Sequence, residues 1–367
     1  MKFTIDKKEL FYILQIAQDV ISAKNFVSIL SNISMSLLKN TLTLQATDTN
    51  TYFKASLLVD NFSEDEKSIT IHCETCYRAV QSLIEKELTF EMLEENRLIL
   101  TPSQGNVKFT MNTLPFDEFP SFIKAPEDVF FSLSREKLEK MIHETVFAVS
   151  DDESRFFMNG VYMQIEDNNL LFVATDGKRL SYSKTFLSDV PTSFDGVIIP
   201  PKILKLLMKL LQKEGEVKIG IYEKTIYFSF QNIIISSILI EGPFPDYMRV
   251  IPKTQDYSLN VKTSHFINAL KRVSLFTEKS KRIFCLFAKN TITLYSEEIE
   301  RGYVKETIFC EYEGPEMKFS FNYQYLLDPL LILNDEVNIK FSDPHKVITI
   351  TGDENSIHII MPMRVDA

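Results

Sequence analysis

Three stretches of the chain carry the same order of apolar and polar positions. Phe3-Thr-Ile-Asp-Lys-Lys-Glu-Leu10, Phe131-Ser-Leu-Ser-Arg-Glu-Lys-Leu138 and Leu259-Asn-Val-Lys-Thr-Ser-His-Phe266 each read as a short strand, a polar cap and the start of a helix. Successive copies are 128 residues apart. Ala46-Thr47-Asp48 returns at the same spacing as Ala174-Thr175-Asp176, and Pro115 as Pro243. Several landmarks at one offset mark an internal repeat.

The helical faces repeat with them. Leu10, Leu14 and Ala17 fall on one face in the first copy, Leu138, Met141, Ile142 and Thr145 in the second, and Phe266, Leu270 and Val273 in the third. Alternating segments follow, such as Val161-Tyr-Met-Gln-Ile-Glu166 and Leu171-Phe-Val-Ala174 around a turn at Asn168-Asn169, a hairpin pattern. A second helix is expected near 73–84, 200–211 and 321–333, and further strands close each copy. The pattern predicts an α+β protein of three domains, 1–127, 128–254 and 255–367. Each holds two helices packed on antiparallel sheets of about eight strands. Linkers are expected near 121–129 and 251–257, where Pro126 and Pro252 interrupt the pattern. Joined end to end in an arc, such repeats leave one helix face free on the concave side. The final repeat shows no capping element, which favours closure by a second copy.

Composition narrows the chemistry. The chain has 367 residues, 45% of them hydrophobic, and no run approaches the ~18 apolar residues of a membrane span. The opening MKFTIDKKEL is charged where a signal peptide is apolar, and four cysteines are too few for a disulfide framework, so a cytoplasmic protein without membrane contact is expected. His72-Cys73-Glu74-Thr75-Cys76 lacks a second ligand pair, and the five histidines are scattered, so no metal is expected. No GxSxG, GxxxxGK[ST], HExxH or GxGxxG occurs. No nucleophile–base pair can be nominated, so neither an enzyme nor a cofactor is expected.

The formal net charge is −10, which taken alone argues against a polyanionic partner. Its placement argues otherwise. In Pro200-Pro-Lys-Ile-Leu-Lys-Leu-Leu-Met-Lys-Leu-Leu-Gln-Lys213, Lys202, Lys205, Lys209 and Lys213 share one helical face, opposite Ile203, Leu206, Leu207, Leu210 and Leu211. Lys271, Arg272, Lys279, Lys281 and Arg282 form a second basic run. Acid gathers elsewhere, at Glu64-Asp65-Glu66, Glu94-Glu95, Glu297-Glu298 and Glu311-Tyr-Glu313. Segregated basic faces suit sequence-independent contact with phosphates.

Four segments remain: Arg155-Phe-Phe-Met-Asn-Gly160, Ala174-Thr-Asp-Gly-Lys-Arg-Leu180, Phe244-Pro-Asp-Tyr-Met-Arg-Val-Ile-Pro252 and Met361-Pro-Met-Arg-Val-Asp-Ala367. Together, and in this order, they resemble the RYYLNG, ATDGHRL, FPDYRRV and MPMRL motifs of the bacterial sliding-clamp family, the β subunit of the replicative DNA polymerase III. The resemblance spans the whole chain. It implies three tandem copies of the DNA-clamp fold in a head-to-tail homodimer that forms a ring around double-stranded DNA. Such a ring binds without sequence specificity and tethers its partners: the polymerase α subunit, the clamp loader, other polymerases and repair factors. It confers processivity in replication, as a non-catalytic subunit in the cytoplasm at the nucleoid. Twelve helices of ~10 Å diameter give a circumference of roughly 120 Å, enough to surround a duplex. A scaffold of the same fold with little DNA contact is the alternative.

The resemblance also implies sites. A partner-peptide pocket would be walled by Met158, Thr175, Leu180, Pro245, Val250, Met361 and Met363. Arg155, Arg179, Arg249 and Arg364 would frame it, with Gly177 and Lys178 at the turn, Pro362 in the tail and Tyr325 from the third domain. Methionines suit varied partners. Lys178 stands where the family has histidine, and Val365-Asp366-Ala367 where it has a terminal leucine. DNA contact is expected from Lys24, Arg78, Lys202, Lys205, Lys209, Lys281 and Arg282. Phe156 and Phe157 replace two tyrosines at the tip beside Asp151-Asp152-Glu153. At the subunit junction Phe109 would meet Leu275 and Phe276 of the other copy.

Overall fold

A computed structural model describes residues 1–21, 28–63, 66–93, 96–188, 196–212, 214–277, 279–298 and 302–364. The first copy runs β1 (Lys2–Asp6), α1 (Lys7–Val20), β2 (Asn32–Leu38), β3 (Thr41–Thr47), β4 (Thr51–Leu58), β5 (Lys67–His72), α2 (Cys73–Ser82), β6 (Glu87–Leu93), β7 (Arg97–Pro102) and β8 (Phe109–Pro115). The second runs β9 (Phe130–Ser134), α3 (Arg135–Thr145), β10 (Val161–Glu166), β11 (Asn169–Thr175), β12 (Arg179–Phe186), β13 (Val197–Ile199), α4 (Pro201–Leu210), β14 (Glu216–Tyr222), β15 (Thr225–Phe230) and β16 (Ile233–Ile238). The third runs β17 (Tyr257–Lys262), α5 (Thr263–Ser274), β18 (Arg282–Ala288), β19 (Thr291–Glu298), β20 (Gly302–Phe309), β21 (Met317–Asn322), α6 (Tyr323–Leu330), β22 (Glu336–Phe341), β23 (Ile348–Thr351) and β24 (Ser356–Ile360). Among the described residues each copy thus has two α-helices and eight strands in one order.

The helices begin where the polar caps stand. Asp6 accepts from the Lys8 and Glu9 amides, and the His72 ring caps α2 through the Thr75 amide. Their apolar faces are buried as the spacing requires: Leu10, Leu14, Ala17, Leu138, Met141, Ile142, Phe266, Leu270 and Val273 are all at most 2% exposed. The second helices are shorter than the sequence suggests. The stretch 321–333 splits because Asn322 ends β21 and caps α6 by accepting from the Gln324 amide. The β10–β11 turn also sits one residue earlier than expected. Asp167 and Asn168 take φ of 48° and 61°, and Glu166 pairs with Asn169. Two successive left-handed residues make the tight hairpin that matches strand twist.

All the strand pairs are antiparallel, and the sheets cross the repeat borders. The described residues fall into two compact units. The first, Met1–Glu136 with Lys205–Leu239, is built on a twelve-stranded sheet ordered β1-β6-β7-β8-β5-β2-β3-β4-β16-β15-β14-β9. Copies one and two join in it where Ile233–Ser237 of β16 pair with Thr51–Ala55 of β4. The second unit, Lys137–Leu204 with Ile240–Ala367, holds an eight-stranded sheet ordered β13-β10-β11-β12-β24-β23-β22-β17 and a four-stranded one ordered β20-β19-β18-β21. There the copies join at β12 and β24, with Arg179 opposite Ile360 and Ser181 opposite His358. Its core is aromatic: Phe266, Phe287, Phe319, Phe321 and Phe341 are each at most 1% exposed. Losing one such ring typically costs about 3–5 kcal/mol.

Candidate partner groove and basic helix faces

The turn after β11 organises the first candidate site. Thr175 Oγ1 donates to the Arg179 carbonyl (2.6 Å) and accepts from the Gly177 amide (3.1 Å). Asp176 Oδ1 accepts from the Lys178 and Arg179 amides at 2.8 and 3.0 Å. Gly177 takes φ +84°, where a side chain is strained. In the first copy Thr47 and Asp48 make the same set of bonds, and Thr49 holds the matching left-handed position at φ 78°. The repeat therefore extends to hydrogen bonds. Only the second copy places Lys-Arg after the glycine.

Those two cations part company. Arg179 turns inward, its side chain 11% exposed. It donates to Asp328 (2.6 Å), Asp176 (3.2 Å) and the Phe147 carbonyl (2.5 Å), and its guanidinium lies 4.6 Å from the Tyr325 ring centre. Lys178 is exposed, and its carbonyl accepts from the Met361 amide at 2.9 Å. The Met363 amide donates to the Ser320 carbonyl (2.7 Å), so the tail after β24 is held at two points.

Beside the turn a small hole of about 100 Å³ is lined by Thr175, Gly177, Lys178, Arg179, Leu180, Val250, Val347, Ile359 and Met361. Two wider grooves share Met361 with it. One, of about 560 Å³, is lined by Lys178, Lys279, Ser280, Arg282, Asn322, Tyr325 and the tail Met361–Arg364. The other, of about 460 Å³, runs past Arg249, Val250, Pro252, Gln255, His345 and Val347. Small apolar holes between polar grooves suit one or two buried anchors of an extended peptide.

Most of the expected pocket residues are gathered here, with differences. Arg179 is a buried brace rather than a free rim cation. Arg155 and Arg249 stand at the surface but each holds an aspartate three residues earlier, Asp152 (2.9 Å) and Asp246 (2.7 Å). Met158 is 6% exposed and lines none of these cavities, and Pro245 is half-buried beside Phe244. Arg282, expected on a DNA face, lines the wider groove with Lys279, because β18 starts alongside the tail. Val347 and Ile359 were missed. Ile359 alternates like any core strand residue, and Val347 follows a loop without a counterpart at the repeat spacing.

Behind the hole lies a polar cluster, buried at Glu144, Ser183, Ser181 and His358 and open to solvent at Lys140. Glu144 on α3 accepts from Ser183 Oγ (2.5 Å) and faces Lys140 (3.6 Å), which also pairs with Asp353 at 2.5 Å. Burial pushes the Glu144 carboxyl upward. His358 Nδ1 lies 3.1 Å from Ser181 Oγ, and burial holds this imidazole down to about 3.

The basic helix faces are less free than their spacing suggests. In α4 Ile203, Leu204, Leu206, Leu207 and Leu210 are buried, Lys202 is half-buried, and Lys205 and Lys209 are exposed. Lys209 pairs with Asp19 of α1 at 2.9 Å, so a neighbouring helix supplies the acid that α4 lacks. Arg78 pairs with Glu74 one turn back on α2 (2.5 Å), and Arg272 with Glu306. Lys281 is exposed and reaches Gln324. Lys24 and Lys213 lie outside the described residues, as do Glu64, Asp65, Glu94, Glu95 and the terminal 365–367. Phe156 is 52% exposed and meets the half-buried Phe157 edge to face at 5.7 Å. Asp152 beside them is occupied by Ser154 and Arg155, which hold its carboxyl below the usual range.

For the junction, Phe109 opens β8 half-buried, Leu275 is 70% exposed and Phe276 half-buried. The edge strand β20 adds Tyr303 and Phe309, both exposed on one face, which the sequence reading passed over. Cys73 and Cys76 are buried in α2, the Cys73 thiol pushed up to about 12 by burial. Among the described residues no group of three or more metal-ligating side chains gathers. None of the described helices is long and apolar enough to cross a membrane.

Helix pairs laid on antiparallel sheets, repeated three times, with a small apolar hole at one repeat border, define a DNA clamp. Family models of the DNA polymerase III β subunit match in series: the N-terminal domain over residues 1–123, the central domain over 132–246 and the C-terminal domain over 248–364. The chain belongs to this family, the bacterial β sliding clamps. The β sliding clamp of Treponema pallidum is 38% identical with both chains covered in full. The DNA polymerase sliding clamp of Bacillus subtilis matches with a TM-score of 0.93 at 27% identity, again over both whole chains. The clamp of Pseudomonas aeruginosa, solved with griselimycin bound, matches with the same TM-score and identity over both whole chains.

Proposed function

We propose that two copies of this chain close head to tail around duplex DNA and hold a replicative polymerase to it by a short peptide. The observation that carries the reading is the match of all three β-subunit domains in series along the chain. As a sliding clamp the protein serves processivity in DNA replication. We assign it a non-catalytic, accessory role in the cytoplasm at the nucleoid, with clamp domains at 1–127, 128–254 and 255–367. A scaffold with little DNA contact is less well supported, since the relatives carry the sliding-clamp name throughout.

The peptide site is the hole between Thr175, Leu180, Val250, Val347 and Met361, with Gly177 fixing the turn and Met363, Pro362 and Tyr325 extending it. DNA contact comes from the exposed Lys205 and from Lys202, Arg78, Lys209 and Lys281, with Lys24 and the Phe156-Phe157 tip adding to it. Partial neutralisation suits a ring that slides, because each free phosphate contact strengthens and slows it. The subunit junction joins Phe109 of one copy to Leu275, Phe276 and the β20 edge of its partner. Retention on DNA tests the whole reading. Loaded clamp stays on a nicked circle through gel filtration and is lost once the circle is cut. Equal loss from circle and linear DNA rejects encirclement.

A further inference from the structure

We propose that the wider groove beside the tail selects partner peptides whose apolar anchors are flanked by acidic residues. The inference rests on the peptide reading above and adds a charge requirement to it. Lys178, Lys279, Arg282 and Arg364 converge on one cavity of about 560 Å³ floored by Tyr325 and the tail methionines. That cavity meets the small hole at Lys178 and Met361, so a peptide anchored in the hole runs directly into it. Among the described residues none of these four cations forms an ion pair. The contrast with Arg155, Arg179 and Arg249 is local, since each of those holds an aspartate a few residues away. The groove cations therefore keep their charge for a ligand, and a carboxylate meets such a cation with a charge-assisted bond.

The floor argues for a peptide over nucleic acid. A phosphate backbone would use the cations and leave Met361, Met363 and the Tyr325 ring against water. An acidic peptide uses both: its side chains meet the cations while its anchors and backbone cover the methionines. Lys178 is part of the difference, because the corresponding family motif has histidine there. The charge requirement is thus written partly in this chain's own residues.

Two labelled peptides sharing a Gln-Leu-x-Leu-Phe core, the type with Leu and Phe anchors that the family resemblance implies, test it, one flanked by Asp and Glu, the other by Ser and Gly, each titrated against the full chain by fluorescence anisotropy. The acid-flanked peptide is expected to bind about tenfold tighter at low salt, with the advantage shrinking as salt rises. Lys279→Ser with Arg282→Ser should cut that advantage at least threefold and leave the neutral peptide's affinity unchanged, which also reports that the variant is folded. Equal affinities for wild type, or an advantage undiminished in the variant, overturns the proposal. Failure of both peptides to bind rejects the peptide site itself. A single-stranded oligonucleotide that competes through the same two residues, without any preference between peptides, assigns the groove to nucleic acid and overturns it as well.

Discussion

Lys178 and Arg179 are neighbours in sequence and opposites in structure. Arg179 is drawn into a set of two aspartates, a carbonyl and a ring, while Lys178 stays at the surface on the groove's lip. The same division separates larger regions. Behind the hole, Glu144, Ser183, Lys140 and Asp353 form a network that fastens α3 to the β23–β24 turn, with His358 buried on Ser181. In front of it, the groove cations form no ion pair among the described residues. Buried, mutually satisfied polar groups fix one geometry; unsatisfied surface cations keep their field available to a partner.

Breaking the inner network should cost most. Arg179→Ala leaves Asp176 and Asp328 half-buried without their cation, so a loss of about 3–5 kcal/mol is expected in urea denaturation of the second unit. A loss below about 1 kcal/mol would mean the brace is dispensable. Titration sharpens the same contrast. His358 stays neutral in the fold down to about 3, whereas an unfolded histidine takes its proton near 6.5. Between those values the unfolded chain binds the extra proton, so stability is complete above about pH 6.5 and falls by about 1.4 kcal/mol per pH unit below it. The raised Glu144 carboxyl works in the opposite sense as it gains its proton. His358→Gln should therefore flatten the acid side of a melting-temperature profile; an unchanged slope assigns the acid loss to other groups.

The open side predicts smaller changes. Val347→Asp places a charge in the apolar hole and should weaken a Gln-Leu-x-Leu-Phe peptide by about thirtyfold, roughly 2 kcal/mol, with the fold intact. Calorimetric titration showing the parent affinity would move the anchor site elsewhere. On α4 the exposed Lys205 should matter more than the partnered Lys209: Lys205→Glu shortens retention on circular DNA more than Lys209→Glu does. Asp19→Asn releases Lys209 and should lengthen retention slightly, with a stability change within ~0.5 kcal/mol for so exposed a pair. If Lys209→Glu has the larger effect, the pairing seen with Asp19 does not restrain it.

The sequence by itself determined the repeat, the order of its elements and the buried helix faces. Those properties depend on local spacing, and Leu10, Leu138 and Phe266 report them without any tertiary information. Four motifs were enough to name the family, because Thr175, Asp176 and Gly177 are required by one turn. Pairing was decided elsewhere. The acid that meets Lys209 lies on another helix, one of the two that meet Arg179 lies beyond a repeat border, and Arg282 reaches the groove only because β18 starts beside the tail. A net charge of −10 and an unmixed lysine stripe are sums over the chain, blind to such distances. Coulomb attraction and desolvation act over a few ångströms, so only the folded chain settles which cations are spent and which remain for a partner.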